Sequence, residues 1–172
     1  NAPLQGVKIV ELGVWVAGPA VTGLLADWGA DVLKIEPPTG DPQRAVFGAL
    51  GVVDQPGVPP FEIDNRGKRS VVLDLRADVD LETMMNLISE ADIFVTNVRP
   101  AGLRRLGLDA DTLTKKFPRL IYGIITGYGL TGPDVDKAGY DIGAFWARSG
   151  LAHTTVAPDQ LPPGIRSGQG DH

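Results

Sequence analysis

Cysteine is absent from the 172 residues, which excludes both a disulfide framework and a thiolate metal site. Histidine is scarce, with only His153 and His172, too few for a histidine-rich metal site, and no metal ligand set is read from the chain. No apolar run reaches membrane length and no signal-like segment is visible, so a cytoplasmic location and no membrane contact are expected. Cations are the minority charge. The 16 Lys and Arg against 21 Asp and Glu leave a net −5, which removes the usual electrostatic drive toward nucleic acid or anionic lipid. Internal repeats and heptads are missing. So is the regular GxGxxG spacing of a dinucleotide fingerprint, because the first turn carries glycine only at 13 and 18.

What is present is ordinary for a soluble globular domain: 43% hydrophobic and 22% charged residues. The stretch from Val7 to Glu36 organises the rest. An apolar run to Leu12, a turn with Gly13 and Gly18-Pro19, a helical segment and a second apolar run, Val32 to Ile35, form the pattern of a βαβ unit. Pro19 suits the first helical turn and Gly29 the far end. Ligands bind at the carboxyl ends of such strands, so Gly13 to Gly18 is either a plain strand-to-helix turn or the edge of a site.

The segment from Pro37 to Pro60 reads as a long irregular excursion, from which Arg44, Val46 and Phe47 could reach over a site. Order returns with a basic turn, Asn65 to Arg69, and a third strand over Ser70 to Leu75. A helix capped by Asp78 or Asp80 runs to about Glu90, and a fourth strand covers Ile93 to Thr96. Pro100 starts a short helix stopped by Gly107, Asp109 or Asp111 opens another, and Leu120 to Thr126 forms a fifth strand. This alternation defines an α/β fold with a parallel sheet. A turn at Gly127 to Pro133 and a helix within Ala138 to Gly150 follow, before a loop-rich end. Asn1 in place of Met and the glycine-rich end at His172 read as trimmed ends, and a second domain needs more chain.

Three groups of residues carry possible chemistry. Lys68, Arg69, Arg76, Arg99, Arg104 and Arg105 recur at loop positions, where they are either solvated or ready to hold an anionic ligand. Asp171 lies in Ser167-Gly168-Gln169-Gly170-Asp171, where glycines allow close backbone approach; it is a nucleophilic carboxylate or a member of a common turn. Asp141 fits a helix cap.

Taken in order, LQGVKIVELGVWVAGPAVTGLLADWGADVLKIEPPTGDPQR, NRGKRSVVLDL, DIFVTNVRPAGLRRLGLD, LIYGIITGYGLTGP, AGYD and GQGDH resemble the N-terminal part of a family III coenzyme A transferase of the CaiB/BaiF type. The resemblance covers nearly the whole chain. It implies a Rossmann-like parallel sheet with flanking helices, with residues 1–172 forming the N-terminal portion of a large coenzyme A-binding domain. The small domain and the C-terminal part would lie outside this chain, and the full-length protein would be an interlocked homodimer. The implied substrates are an acyl-CoA and a carboxylic acid acceptor, with coenzyme A as co-substrate.

Asp171 matches the family's aspartate nucleophile, which passes an acyl group through a mixed anhydride and then an aspartyl-CoA thioester. Trp15, Val16 and Ala17 would line the pantetheine and thioester end. Leu73, Arg76, Asn97 and Arg105 would contact the nucleotide, while Tyr140 and Asp141 would face the substrate. Pro37 departs from relatives that place an arginine beside the adenine. α-Methylacyl-CoA racemases resemble this chain too, but carry histidine where Tyr140 stands, and a phenol is a poor base near neutral pH. A non-catalytic coenzyme A-binding fragment is the remaining alternative.

Overall fold

The computed structural model describes residues 2–49, 51, 57–157, 159–165 and 168–172. Five parallel strands, β1 (Lys8–Leu12), β2 (Asp31–Glu36), β3 (Arg69–Val72), β4 (Ile93–Thr96) and β5 (Ile121–Ile124), lie in the order β3-β2-β1-β4-β5. Parallel pairing requires crossovers. Helix α1 (Ala17–Asp27) joins β1 to β2, and α4 (Asp78–Ser89) joins β3 to β4. Between β2 and β3 stand a 3-10 turn (Pro42–Ala45), α2 (Val46–Ala49) and α3 (Pro59–Asp64); between β4 and β5 stand α5 (Pro100–Leu106) and α6 (Ala110–Lys116).

Both faces of the sheet are covered, so successive strand residues feed different cores. Val10, Ile35 and Phe94 pack with Met84 and Ile88 of α4, Leu103 of α5 and Leu113 of α6. Ile9, Val32 and Val95 form a smaller core on the opposite face, joined by Leu25 and Ala26 of α1. Glu11 and Lys34 interrupt these apolar strands on that same face. The β1–β2 register sets them side by side, and both are fully buried.

Several sequence expectations are corrected in detail. The third and fifth strands are shorter than expected, although Leu73 and Ile125, just past their ends, still donate to the Glu36 and Thr96 carbonyls. The excursion after Glu36 is not irregular throughout: Asp41 accepts from the Gln43 N–H at 2.9 Å and caps the 3-10 turn, and Pro59 starts α3. Arg44 reaches over no site. It pairs with Glu36 at 2.7 Å and lies 3.8 Å above the Phe61 ring, anchoring the excursion to β2. The side chain of Phe47 lies outside the described residues.

Neither Asp78 nor Asp80 caps α4, since Ala77 occupies that position and the Asp80 carboxylate instead accepts from the Asp74 N–H at 2.7 Å. Asp109 does cap α6, and Gly107, at φ 66°, ends α5. Within Ala138 to Gly150 the helix narrows to a wide, π-type turn over Ile142–Ala147, followed by α7 (Leu151–Thr154).

Candidate active site

Strand order reverses between β1 and β4, and the loops leaving their carboxyl ends diverge there to open a crevice. Asn97, just past β4, holds the first loop in place: its amide donates to the Val14 carbonyl at 2.7 Å and its carbonyl accepts from the Val14 N–H at 3.0 Å. Trp15 follows in a left-handed conformation, φ 63°, which costs a bulky residue about 1–3 kcal/mol. What holds it is a bond from its N–H to the Asp41 carboxylate, 3.2 Å.

Asp41 is itself fixed from below. The Lys34 ammonium lies 2.9 Å from Asp41 Oδ2, 2.8 Å from Glu11 Oε1 and 2.9 Å from the Gly13 carbonyl, so one buried cation sets both ends of the loop. Glu11 also receives Lys68, 2.8 Å away. Lys68 is therefore not a free anion-binding group as its place in a basic turn suggested. It is buried, gives its remaining donors to Pro19 and Asn65, and burial depresses its amine despite Glu11.

A cleft of about 650 Å³ opens above this platform. The first loop forms one wall, Val98–Pro100 and Ile125–Tyr128 continue it from β4 and β5, and Lys137–Asp141 with Phe145 and Gly170-Asp171 close the other side. Trp15 and Tyr140 meet edge to face across it, with ring centroids 6.3 Å apart. Trp15, Val16, Ala17, Asn97, Tyr140, Asp141 and Asp171 thus line one cavity, although they come from distant parts of the chain.

The turn bearing Asp171 is tied down by Asp141. One oxygen of that buried carboxylate accepts from the Ile142 N–H at 2.8 Å and caps the wide turn; the other accepts from the Gly168 N–H at 2.8 Å and, more loosely, from the Gly170 N–H at 3.5 Å. Gly170 packs against the Phe145 ring so closely that a Cβ there would lie 2.5 Å from ring carbons. Asp171 is half-buried. Burial, then the neighbouring Asp141 charge, push its carboxyl above the usual range, while His172 pulls it down and Asp64 adds to the rise.

Three of the residues singled out in the sequence stand elsewhere. Leu73 is buried in the core just after β3, and Arg76 is exposed beside Asp74, 2.8 Å away. Arg105 joins Arg99 and Arg104 around a shallower hollow that shares Val98 and Arg99 with the main cleft. Of the remaining cations, Arg104 pairs with Asp136 at 3.2 Å and Arg69 with Asp31 at 2.8 Å, the latter at the amino end of its strand and so away from the crevice.

Lys137, a cleft residue 2.7 Å from Asp134, was missed because it lies in a glycine-rich loop without a periodic pattern. Glu11 and Lys34 were missed as well. The available signal was a charge of each sign at the same depth of two adjacent apolar strands.

The fold and site define a class: a parallel α/β domain with a carboxylate-bearing cleft at its topological switch point. The CoA-transferase family III model matches residues 4–172, and the chain belongs to that family. It is 40% identical over 98% of its length to a cinnamoyl-CoA:phenyllactate CoA-transferase of Clostridium sporogenes, and 40% identical over 98% to an (R)-2-hydroxy-4-methylpentanoate CoA-transferase of Clostridioides difficile. It covers 41% and 43% of those two proteins, so the chain spans about two fifths of the length of these curated relatives. A crystal structure of a CAIB/BAIF family protein from Brucella suis superposes with a TM-score of 0.85 at 38% identity, covering 99% of this chain and 45% of that one.

Proposed function

We propose that this chain is the N-terminal portion of the large domain of an enzyme that moves coenzyme A from an acyl-CoA to a carboxylic acid, with Asp171 as covalent carrier. The observation that carries the reading is the position of Asp171, on a turn fixed by Asp141 and facing the first loop across the cleft. The family membership and the CoA-transferases among the relatives support it.

In this mechanism a carboxylate oxygen of Asp171 attacks the thioester carbonyl, the C–S bond breaks, and a mixed anhydride forms with release of coenzyme A thiolate. The thiolate attacks the aspartyl carbonyl, freeing the first acid as its carboxylate and leaving an aspartyl-CoA thioester. The acceptor carboxylate attacks that thioester to give a second anhydride and thiolate. Attack of the thiolate on the new acyl carbonyl yields the product acyl-CoA and restores Asp171. A carboxylate nucleophile splits one difficult exchange into easier ones, provided that water is kept from the anhydride. Trp15 and Tyr140 provide apolar surface for that purpose.

Coenzyme A would lie with its thioester end on Trp15, Val16 and Ala17. Its nucleotide would run toward Arg99 and Arg105, which border the hollow beside the cleft. Asn97 acts through Val14, since both ends of its amide are already bonded there. Tyr140 borders the acyl group. The remaining chain would supply the other wall and the interlocked homodimer.

Mass spectrometry of the full-length parent after incubation with an acyl-CoA, with and without hydroxylamine, tests the reading. The expected result is an adduct on the Asp171 peptide that disappears in Asp171→Ala. No adduct, together with exchange of the substrate α-proton for solvent deuterium, would overturn it in favour of racemase chemistry at Tyr140 and Asp141.

A further inference from the structure

His172 follows the nucleophile directly, and its ring is engaged at both nitrogens. Nδ1 lies 2.9 Å from the Gly168 carbonyl and Nε2 lies 3.0 Å from Asp64 Oδ1. A carbonyl oxygen only accepts, so Nδ1 must carry a proton. Asp64 is buried at the end of α3 and already accepts from the Gln43 amide on its other oxygen, 2.9 Å away. As a carboxylate oxygen, its Oδ1 likewise only accepts. Two acceptors facing two ring nitrogens are both satisfied only by the imidazolium.

The contact closes a circuit around Gly168. That residue sits at φ 84°, its N–H bonded to Asp141 and its carbonyl shared between His172 and the Asp171 N–H, 3.2 Å away. The Gly168–Asp171 turn is thus clamped to the sheet's first half through α3 and to the wide turn through Asp141.

We propose that His172 is a positioning residue for Asp171: as an imidazolium it straps the Gly168 carbonyl to the Asp64 carboxylate, closing the turn and setting a positive charge beside the nucleophile. This rests on the transferase reading. The charged groups acting on the ring are acidic, namely Asp64 of α3 and Asp171 itself; Asp141 bears on Asp171, and Lys68 interacts with Asp64. The bond to Asp64 is the largest influence on the ring and holds it protonated above the usual histidine range, against partial burial. Reciprocally, the ring's charge opposes the burial and the Asp141 charge that favour a protonated, non-nucleophilic Asp171.

Raising the pH through the imidazolium's pKa removes one of the two strap bonds and the positive charge together. Adduct formation on Asp171 should then slow on the alkaline side.

The test is the rate of acyl-CoA-dependent adduct formation on Asp171 in the full-length protein, followed by quenching and mass spectrometry across pH. Wild type, His172→Gln and the isosteric Asp64→Asn are compared. In His172→Gln the rate at neutral pH should fall ~10- to 100-fold, with the acyl-CoA concentration dependence changed by no more than about twofold, and the alkaline limb should vanish. In Asp64→Asn, which keeps the shape but not the charge, the limb should move to lower pH. An unshifted limb in Asp64→Asn, or wild-type rate and limb in His172→Gln, would overturn the proposal while the adduct on Asp171 still upheld the transferase reading. Absence of any adduct on wild-type Asp171 would remove both.

Discussion

Gly170 shows how narrow the tolerance around Asp171 is. A methyl group there would overlap the Phe145 ring, so Gly170→Ala must move either the ring or Asp171. On the transferase reading proposed above, a displacement near 1 Å at the reacting group costs roughly 100-fold in rate, and most of that loss is expected in kcat rather than in acyl-CoA binding. Steady-state kinetics of the variant in the full-length protein would check this; a change in KM alone would mean that the turn absorbs the methyl group without moving Asp171. Glu11 is critical for a different reason. It is the buried anion between Lys34 and Lys68, both 2.8 Å away, and Glu11→Gln removes the charge while leaving both ammonium groups buried. Breaking a buried ion network in this way costs about 3–5 kcal/mol, so the denaturant midpoint should fall accordingly. The loop carrying Trp15 should loosen with it, because Lys34 supports that loop through Gly13 and Asp41.

Among the elements, the excursion between β2 and β3 is pinned by Glu36, which accepts from Arg44, Ser70 and the Asp41 N–H. The Arg44 guanidinium foremost, then Ser70 and Asp41, hold the Glu36 carboxyl down at about 2, against burial that would raise it. A depressed carboxyl stabilises the folded state above its unfolded value, and the contribution is lost as pH falls from about 4.5 toward 2. With Arg44 half in water, the contribution is on the order of 2 kcal/mol. Thermal denaturation between pH 6 and pH 3 should therefore show a smaller acid loss in Glu36→Gln than in wild type, and equal slopes would refute the assignment. The strands and crossover helices were legible because apolar runs, prolines and helix-stopping glycines act locally. The excursion was not, since its short helices are fixed by Glu36 and Asp41 from the tertiary structure rather than by periodicity. Lys68 was misread for the same reason: a basic turn looks solvated until the fold brings Glu11 beneath it. Asp171 and the first loop were singled out with help from family resemblance, whereas the straps through Asp141 and Asp64 join residues 27 and 108 positions apart and leave no local trace.

At the scale of the whole molecule, burial is concentrated in the middle of the sheet. Ile9, Val32, Phe94 and Val95 in the three central strands are almost fully buried, whereas Val72 and Ile121 on the edge strands are more than half exposed. Beyond β5, Tyr140, Ile142, Phe145 and Leu151 present a run of exposed apolar side chains next to the cleft. The chain covers 41–43% of the two curated relatives compared above, and on the reading proposed above this surface would be the seat of further chain. Hydrogen exchange measured on the 172-residue chain and on the full-length parent separates the two contributions. Amides of β1, β2 and β4 should exchange slowly in both, because opening them requires global unfolding. Amides of the Ile142–Ala147 turn and of α7 should exchange fast in the chain alone and at least ~10-fold slower in the parent, where burial of Ile142 and Leu151 would tie their opening to a larger cooperative unit. Equal exchange of these segments in the two proteins would mean that the apolar run stays open in the parent. The Asp171 turn would then depend on its own straps for order, and any further wall of the cleft would have to come from another direction.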